Sequence, residues 1–243
     1  MPRDTLTEDQ IVRAAIELLD SEGLDGLNMR SLGKRLGSAA TAVYWHIKTK
    51  DDLVRLAADA IWAEVQLPDL DATDWRTAAT AMAASLHSVL TRHPWVGQAF
   101  GSHLLYGPGK ARHDDHLLGV YEKAGFAAAD ADRAAATVFV FVLGSALGPA
   151  AHVSLTRRLS RNGGDAGQLL ADATARAAQI AKGFPRLSER LDTTAATDYA
   201  SAPDDTFAFG LRAVLDGFES RLTADRHKAA SDVRHPVSSP EPH

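Results

Sequence analysis

Apolar residues recur along this chain at spacings of three and four, as in helices buried on one face, and they seldom alternate as in strands. Ile11, Ala14, Ala15, Leu18 and Leu19 share one face of a first helix. Before them, Thr7-Glu8-Asp9-Gln10 fits a capping box, in which Thr7 accepts from a first-turn amide and Gln10 reaches back. Gly23 predicts the end of that helix near Glu22. Asn28 is a good N-cap for a short second helix over 29–36, with Leu32 and Leu36 inward and Gly37 as its stop. A tight turn leads to a third short helix over 40–46. Thr49 to Asp52 then supply a cap and a first-turn acid for a fourth helix, whose Leu53, Leu56, Ala60, Ile61 and Val65 keep helical spacing before Pro68.

Residues 68–74 read as a linker. Beyond it, Gly, Pro and Asn signals such as Tyr106-Gly107-Pro108-Gly109 and Asn162-Gly163-Gly164 divide the chain into helices at 75–92, 95–105, 110–124, 130–157, 165–182 and 204–222. Residues 185–203 form a long polar connection, and the tail from 224 reads as unstructured. Alanine dominates the apolar content and favours helix where β-branched residues favour strand, so the predicted class is all-α. With 243 residues, two folded units are expected: a helix-turn-helix domain over 1–50 and a larger domain over 75–223, joined by the fourth helix over 51–67.

Composition narrows the class. Hydrophobic residues at 45% and charged ones at 23% are those of a folding chain, which excludes global disorder. No cysteine is present, so disulfides and thiolate metal sites are excluded. The first ten residues carry acids where a secretory signal would be basic and then apolar, which predicts a cytoplasmic protein. Residues 134–156 form an uncharged run long enough to span a bilayer. Its many Ala, Gly, Ser and Thr residues, its Pro149 and the lack of flanking Trp or Tyr instead predict a buried helix and no membrane partner. Net charge is −5, yet residues 26–50 hold Arg30, Lys34, Arg35, Lys48 and Lys50 and no acid. One basic segment on an acidic molecule is a candidate footprint for a polyanion.

That segment coincides with the short helices. A helix-turn-helix needs a bracing helix, a turn of three or four residues, and a second helix whose outward side chains enter the major groove. Residues 29–46 supply these parts. Small groove-facing residues permit close approach, where Ala methyls touch thymine and Thr41 reaches a base edge. Tyr44, His46, Lys48 and Lys50 follow, with groups suited to phosphates. Trp45 reads as a core ring wedged between the first and fourth helices.

The run Gly26-Leu27-Asn28-Met29-Arg30-Ser31-Leu32, followed by Leu36-Gly37 and by Ala42-Val43-Tyr44-Trp45-His46-Ile47-Lys48-Thr49-Lys50-Asp51-Asp52-Leu53, resembles the DNA-binding domain of the tetracycline-repressor (TetR) family. The resemblance covers residues 6 to about 60. It implies that Arg30, Thr41 and Ala42, with Ala40 beside them, face bases, and that Asn28, Tyr44, His46 and Lys50 contact the backbone. Ala39 and Ala40 stand where some relatives carry longer polar readers.

The last helix, 207–218, resembles the final helix of the family's ligand-binding and dimerisation domain. The resemblance implies a homodimer, a palindromic DNA operator and a small-molecule effector site. Candidate ligand contacts are Met82, Leu86, Phe100, His103, Leu117, Phe139 and Leu143. Met82 and Leu86, where tetracycline-binding members have polar contacts, imply a largely apolar effector. His113 and His116 stand at i, i+3 beside Asp114 and Asp115, but no second pair completes a metal site, so no metal or cofactor is expected. No Ser, Cys or metal constellation points to catalysis. The expected function is a ligand-responsive repressor and not an enzyme. A DNA-binding dimer without an effector, and a helical enzyme with an accessory DNA-binding unit, are the alternatives.

Overall fold

The computed structural model describes residues 6–37, 40–161, 165–191 and 203–234. Among the described residues there is helix and no strand. Helix α1 (Glu8–Gly26) starts with the expected capping box: the Gln10 amide donates to Thr7 Oγ1 at 3.3 Å and the Thr7 amide donates to Gln10 Oε1 at 2.9 Å. Gly23 does not end the helix. It adopts φ 71°, a conformation that costs glycine little, and kinks the chain so that one more turn runs to Gly26.

Helix α2 (Met29–Arg35) is capped by Asn28, whose Oδ1 accepts from the Ser31 amide at 2.9 Å, and α3 is Ala40–His46. Helix α4 (Lys50–Ala60) begins at the Thr49 cap and gives way to a 3-10 turn, Ile61–Glu64, so helical structure stops short of residue 67. The tighter turn lets Ile61 and Trp62 both point inward, where they are 1% and 3% exposed.

The larger unit comprises α5 (Trp75–Arg92), α6 (Trp95–Phe100), α7 (Pro108–Ala124), α8 (Ala128–Arg161), α9 (Ala166–Ala181), α10 (Pro185–Ser188) and α11 (Pro203–Arg234). Helix α6 is shorter than expected because the Gly101 and Ser102 amides bond back to Gln98 and Ala99 and close it. Helix α7 begins two residues early, with Pro108 in its first turn, where a missing amide costs nothing. Helix α10 interrupts the expected polar connection. Helix α11 corrects the expected tail. It continues to Arg234, helped by Arg226, which donates to the Ala124 carbonyl at 3.1 Å and ties it to the end of α7. Residues 235–243 of that tail lie outside the described residues.

Helix α8 packs on α5, α6, α7 and α11. Its Ala131, Ala134, Val138, Val142, Ala146 and Ala150 are buried at helical spacing. Burial is one-sided, however: Val140, Leu147 and Val153 face outward. The small N-terminal core, built on Ile11, Leu19, Leu32 and Leu53, and the larger one form one continuous cluster that includes Trp62.

Candidate nucleic-acid interface and effector cavity

Helix α3 is held by Val43, fully buried, and by Ile47 just beyond its end, which pack with Leu32 of α2. Everything polar in the segment points away from those anchors. Arg30, Thr41, Tyr44, His46, Lys48 and Lys50 are exposed and Ala42 is half-buried. The side chain of Ala40, and Ala39 altogether, lie outside the described residues. Trp45 is not a core ring: it is 82% exposed. Two residues from Val43 on a helix, it lands on the opposite side, and the space between α1 and α4 is already filled by small and aliphatic residues.

Three of the expected backbone-contacting side chains have work within the domain. Asn28 caps α2 and also donates from Nδ2 to the Gly26 carbonyl at 3.1 Å. The Lys48 ammonium donates to the Tyr44 carbonyl at 3.3 Å, at the end of α3. The Lys50 ammonium donates to the Leu24 carbonyl at 2.7 Å, at the end of α1. Both ammonium groups therefore lie at helix C-termini, held by carbonyls that a phosphate oxygen could replace.

In the larger unit, Met82 and Leu86 are 1% and 3% exposed and belong to the packed core. Phe100 meets Phe139 edge to face at 5.8 Å, and Leu143 is half-buried against the core. His103 instead lies 3.4 Å from Asp51 in the first turn of α4. Leu117 and Phe139 line a cavity of about 290 Å³ between α7 and α8, together with Leu118, Ala135 and Ala136 and the charged Lys110, Asp114 and Asp132. A wider cleft, about 510 Å³, opens between α1 and α8, but its walls carry Glu22, Asp25, Arg157 and Arg158 and do not suit an apolar guest.

On the wall of the apolar cavity the Lys110 ammonium lies 4.4 Å from the Phe139 ring centre and 5.1 Å from that of Trp62, and bonds both oxygens of Asp114 at 2.8 Å. Burial pushes the Asp114 carboxyl up, but bonds from His113 and Lys110 outweigh it and hold it below the usual range. His113 and His116 do not converge: His113 lies against Trp62 with ring centres 4.8 Å apart and planes inclined by 49°, and His116 Nε2 lies 2.8 Å from the Pro68 carbonyl.

One connection was missed from sequence. Asp59, near the end of α4, accepts from the Gly109 amide at 3.0 Å and the Lys110 amide at 3.1 Å, capping α7 from another helix. A Cβ on Gly109 would lie 2.5 Å from the Asp59 carbonyl oxygen, so glycine there is what allows the two backbones to meet. The Gly-Pro-Gly run was the available signal, though it read only as a break.

Residues 11–57 match the family described as "Bacterial regulatory proteins, tetR family", and residues 67–222 match "Tetracyclin repressor-like, C-terminal domain". The chain belongs to the tetracycline-repressor family. An HTH-type transcriptional regulator of Saccharopolyspora erythraea is 42% identical over 140 residues, an alignment spanning 58% of this chain and 59% of that protein. The HTH-type transcriptional repressor DrrR1 of Streptomyces coeruleorubidus is 30% identical, covering 94% of this chain and 83% of its own. Among solved structures, ActR of Streptomyces coelicolor in complex with actinorhodin superposes with a TM-score of 0.69 at 25% identity, over 92% of this chain and 98% of that one. Like other tetracycline-repressor family members, the protein is a DNA-binding transcriptional regulator with a helix-turn-helix domain and a helical C-terminal domain.

Proposed function

We propose that the protein is a ligand-responsive repressor that binds a palindromic operator as a homodimer, in the bacterial cytoplasm, and is released by a small, largely apolar effector. The observation that carries this reading is the continuity of α4. Its first turn follows the α3 segment, and its Asp59 caps α7 beside a cavity floored by Leu117, Leu118 and Phe139. A molecule that displaces Lys110 or Phe139 pulls on the start of α7, hence on Asp59 and on the setting of α3. The base-facing roles of Arg30, Ala40, Thr41 and Ala42, and the phosphate roles of Tyr44, His46, Lys48 and Lys50, belong to this reading.

Dimerisation is supported by the uncovered side of α8 and α11. Val140, Leu147 and Phe209 are 65%, 47% and 70% exposed, and a Cβ on Gly144, Gly148 or Gly217 would meet nothing within 4 Å. Large apolar groups beside unfilled glycines suit a second pair of helices packed across a two-fold axis. That axis would space two α3 helices about 34–36 Å apart along DNA. The operation is binding and release, with no catalysis assigned.

The packed state of Met82 and Leu86 favours a second reading, a dimer that holds DNA without an effector. Gel shifts on a selected duplex separate the two. Apolar aromatic compounds release the wild-type protein but not Asp59→Ala if α4 is the lever, whereas no release by any compound supports the constitutive dimer. By linkage the effector then binds the DNA complex more weakly than the free protein, by about 1–3 kcal/mol.

A further inference from the structure

A different junction fastens the two units, and it is built on a proton. His93, the C-cap of α5, is 4% exposed, yet carboxylates approach both ring nitrogens. Nδ1 lies 2.8 Å from Asp20 Oδ1 on α1, and Nε2 lies 3.3 Å from both carboxylate oxygens of Glu64 in the 3-10 turn after α4. The remaining charged and polar groups at the site come from three further places. Arg92 of α5 pairs with Glu64, Trp95 of α6 donates to Asp20 Oδ1 at 2.8 Å, and Arg157 of α8 donates to the Asp20 carbonyl. Arg92 bonds the Glu64 carboxylate and Arg157 the Asp20 backbone carbonyl, and both guanidinium groups keep their charge across the titration of the ring.

An imidazole can donate on both sides only when both nitrogens carry protons; the neutral ring has one N–H and turns a lone pair toward the other acid. We infer that Asp20, His93 and Glu64 form a proton-controlled latch, which fastens the DNA-binding domain to the larger domain while His93 is doubly protonated and loosens when it loses a proton. The ends it ties are those that set α3: α1 braces the helix-turn-helix, and Glu64 closes the 3-10 turn that follows the lever helix α4.

Burial lowers the affinity of the ring for its second proton, but the bonds and charges of Asp20 and Glu64 outweigh it, and the net pKa lies above the ordinary 6.5. The sign follows. A group whose folded pKa is raised gives its full stabilisation below the unfolded value and loses it as pH rises through the folded one. The latch is therefore closed below pH 6.5 and opens as pH rises through the raised folded value.

The test uses the full chain. In histidine-detected NMR, Asp20→Asn, which keeps an oxygen for Trp95, identifies the His93 resonance as the one it moves. That resonance titrates above 6.5 in the wild type and closer to 6.5 in the variant. Thermal melts from pH 6 to 9 give the second arm: the wild type loses about 2–4 °C more than His93→Gln over that interval. Amide exchange supplies the domain readout, with protection of residues 16–22 and 61–65, corrected for intrinsic rate, falling toward pH 9 in the wild type and flat in His93→Gln. A His93 that titrates at or below 6.5, or parallel melting curves, or protection that does not change with pH in the wild type, overturns the latch. Should His93→Gln fail to fold, the NMR titration with Asp20→Asn and wild-type exchange still decide it.

Discussion

The two units put their polar side chains to opposite uses. In the N-terminal one, Arg30, Tyr44, His46, Lys48 and Lys50 lie outside, and what is buried is aliphatic: Ile11, Leu19, Leu32, Val43 and Ile47. In the larger one, polar groups go inward in pairs, with Lys110 on Asp114, His113 on Trp62 and His93 between two acids. An exposed cation costs little to hold and can exchange its partner for a phosphate. A buried one is expensive to leave unpaired, so it moves only when its partner moves. The first arrangement suits recognition, the second transmission.

The contrast can be broken by exchanging the two kinds of surface. Val43→Asp buries an unpaired charge under α3, and denaturation is expected to show a loss of about 3–5 kcal/mol, with helical signal from the larger domain retained. Trp62→Ala removes a buried ring from the continuous core, is expected to cost about 3–5 kcal/mol, and should separate the unfolding of the two units. Exposed groups on the DNA-facing side should behave otherwise. Tyr44→Ala and Lys48→Ala each weaken duplex binding roughly tenfold with little change in melting temperature, and the lysine change lowers the salt slope by about 0.9. Asp59→Ala lies between these cases. Loss of an interhelical cap is expected to cost about 1 kcal/mol in a denaturant titration, yet it should abolish effector release. Smallest is Arg76→Ala, whose pairs with Asp216 and Glu219 are largely exposed, at less than about 1 kcal/mol and less still in high salt.

Legibility in sequence followed the same division. The capping box at Thr7, the Asn28 and Thr49 caps and the bounds of α3 are local, set by residues a few positions apart, and they could be read from the chain. Ring size points Trp45 inward, but angular position decides, and Val43 already holds the inward place. In the larger domain the helices were visible but their pairings were not. His93 meets groups at 20 and 64, Asp59 meets 109 and 110, and nothing periodic links such positions. Met82 and Leu86 have the character of a lining, but α5 buries them against other helices, while Leu117, Leu118 and Phe139 line the cavity between α7 and α8. The long final helix was cut short because its last turns are polar. Arg226 holds it to α7 by a single carbonyl bond, which hydrophobic spacing does not register.

Selection of bound DNA from random duplexes tests the central claim most directly, because it asks for specificity and two-fold symmetry at once. The account predicts an inverted repeat whose half-sites lie about 34–36 Å apart, or a multiple of that spacing, lost in Lys48→Ala with Tyr44→Ala. Enrichment of no sequence, or of one without symmetry, would contradict it.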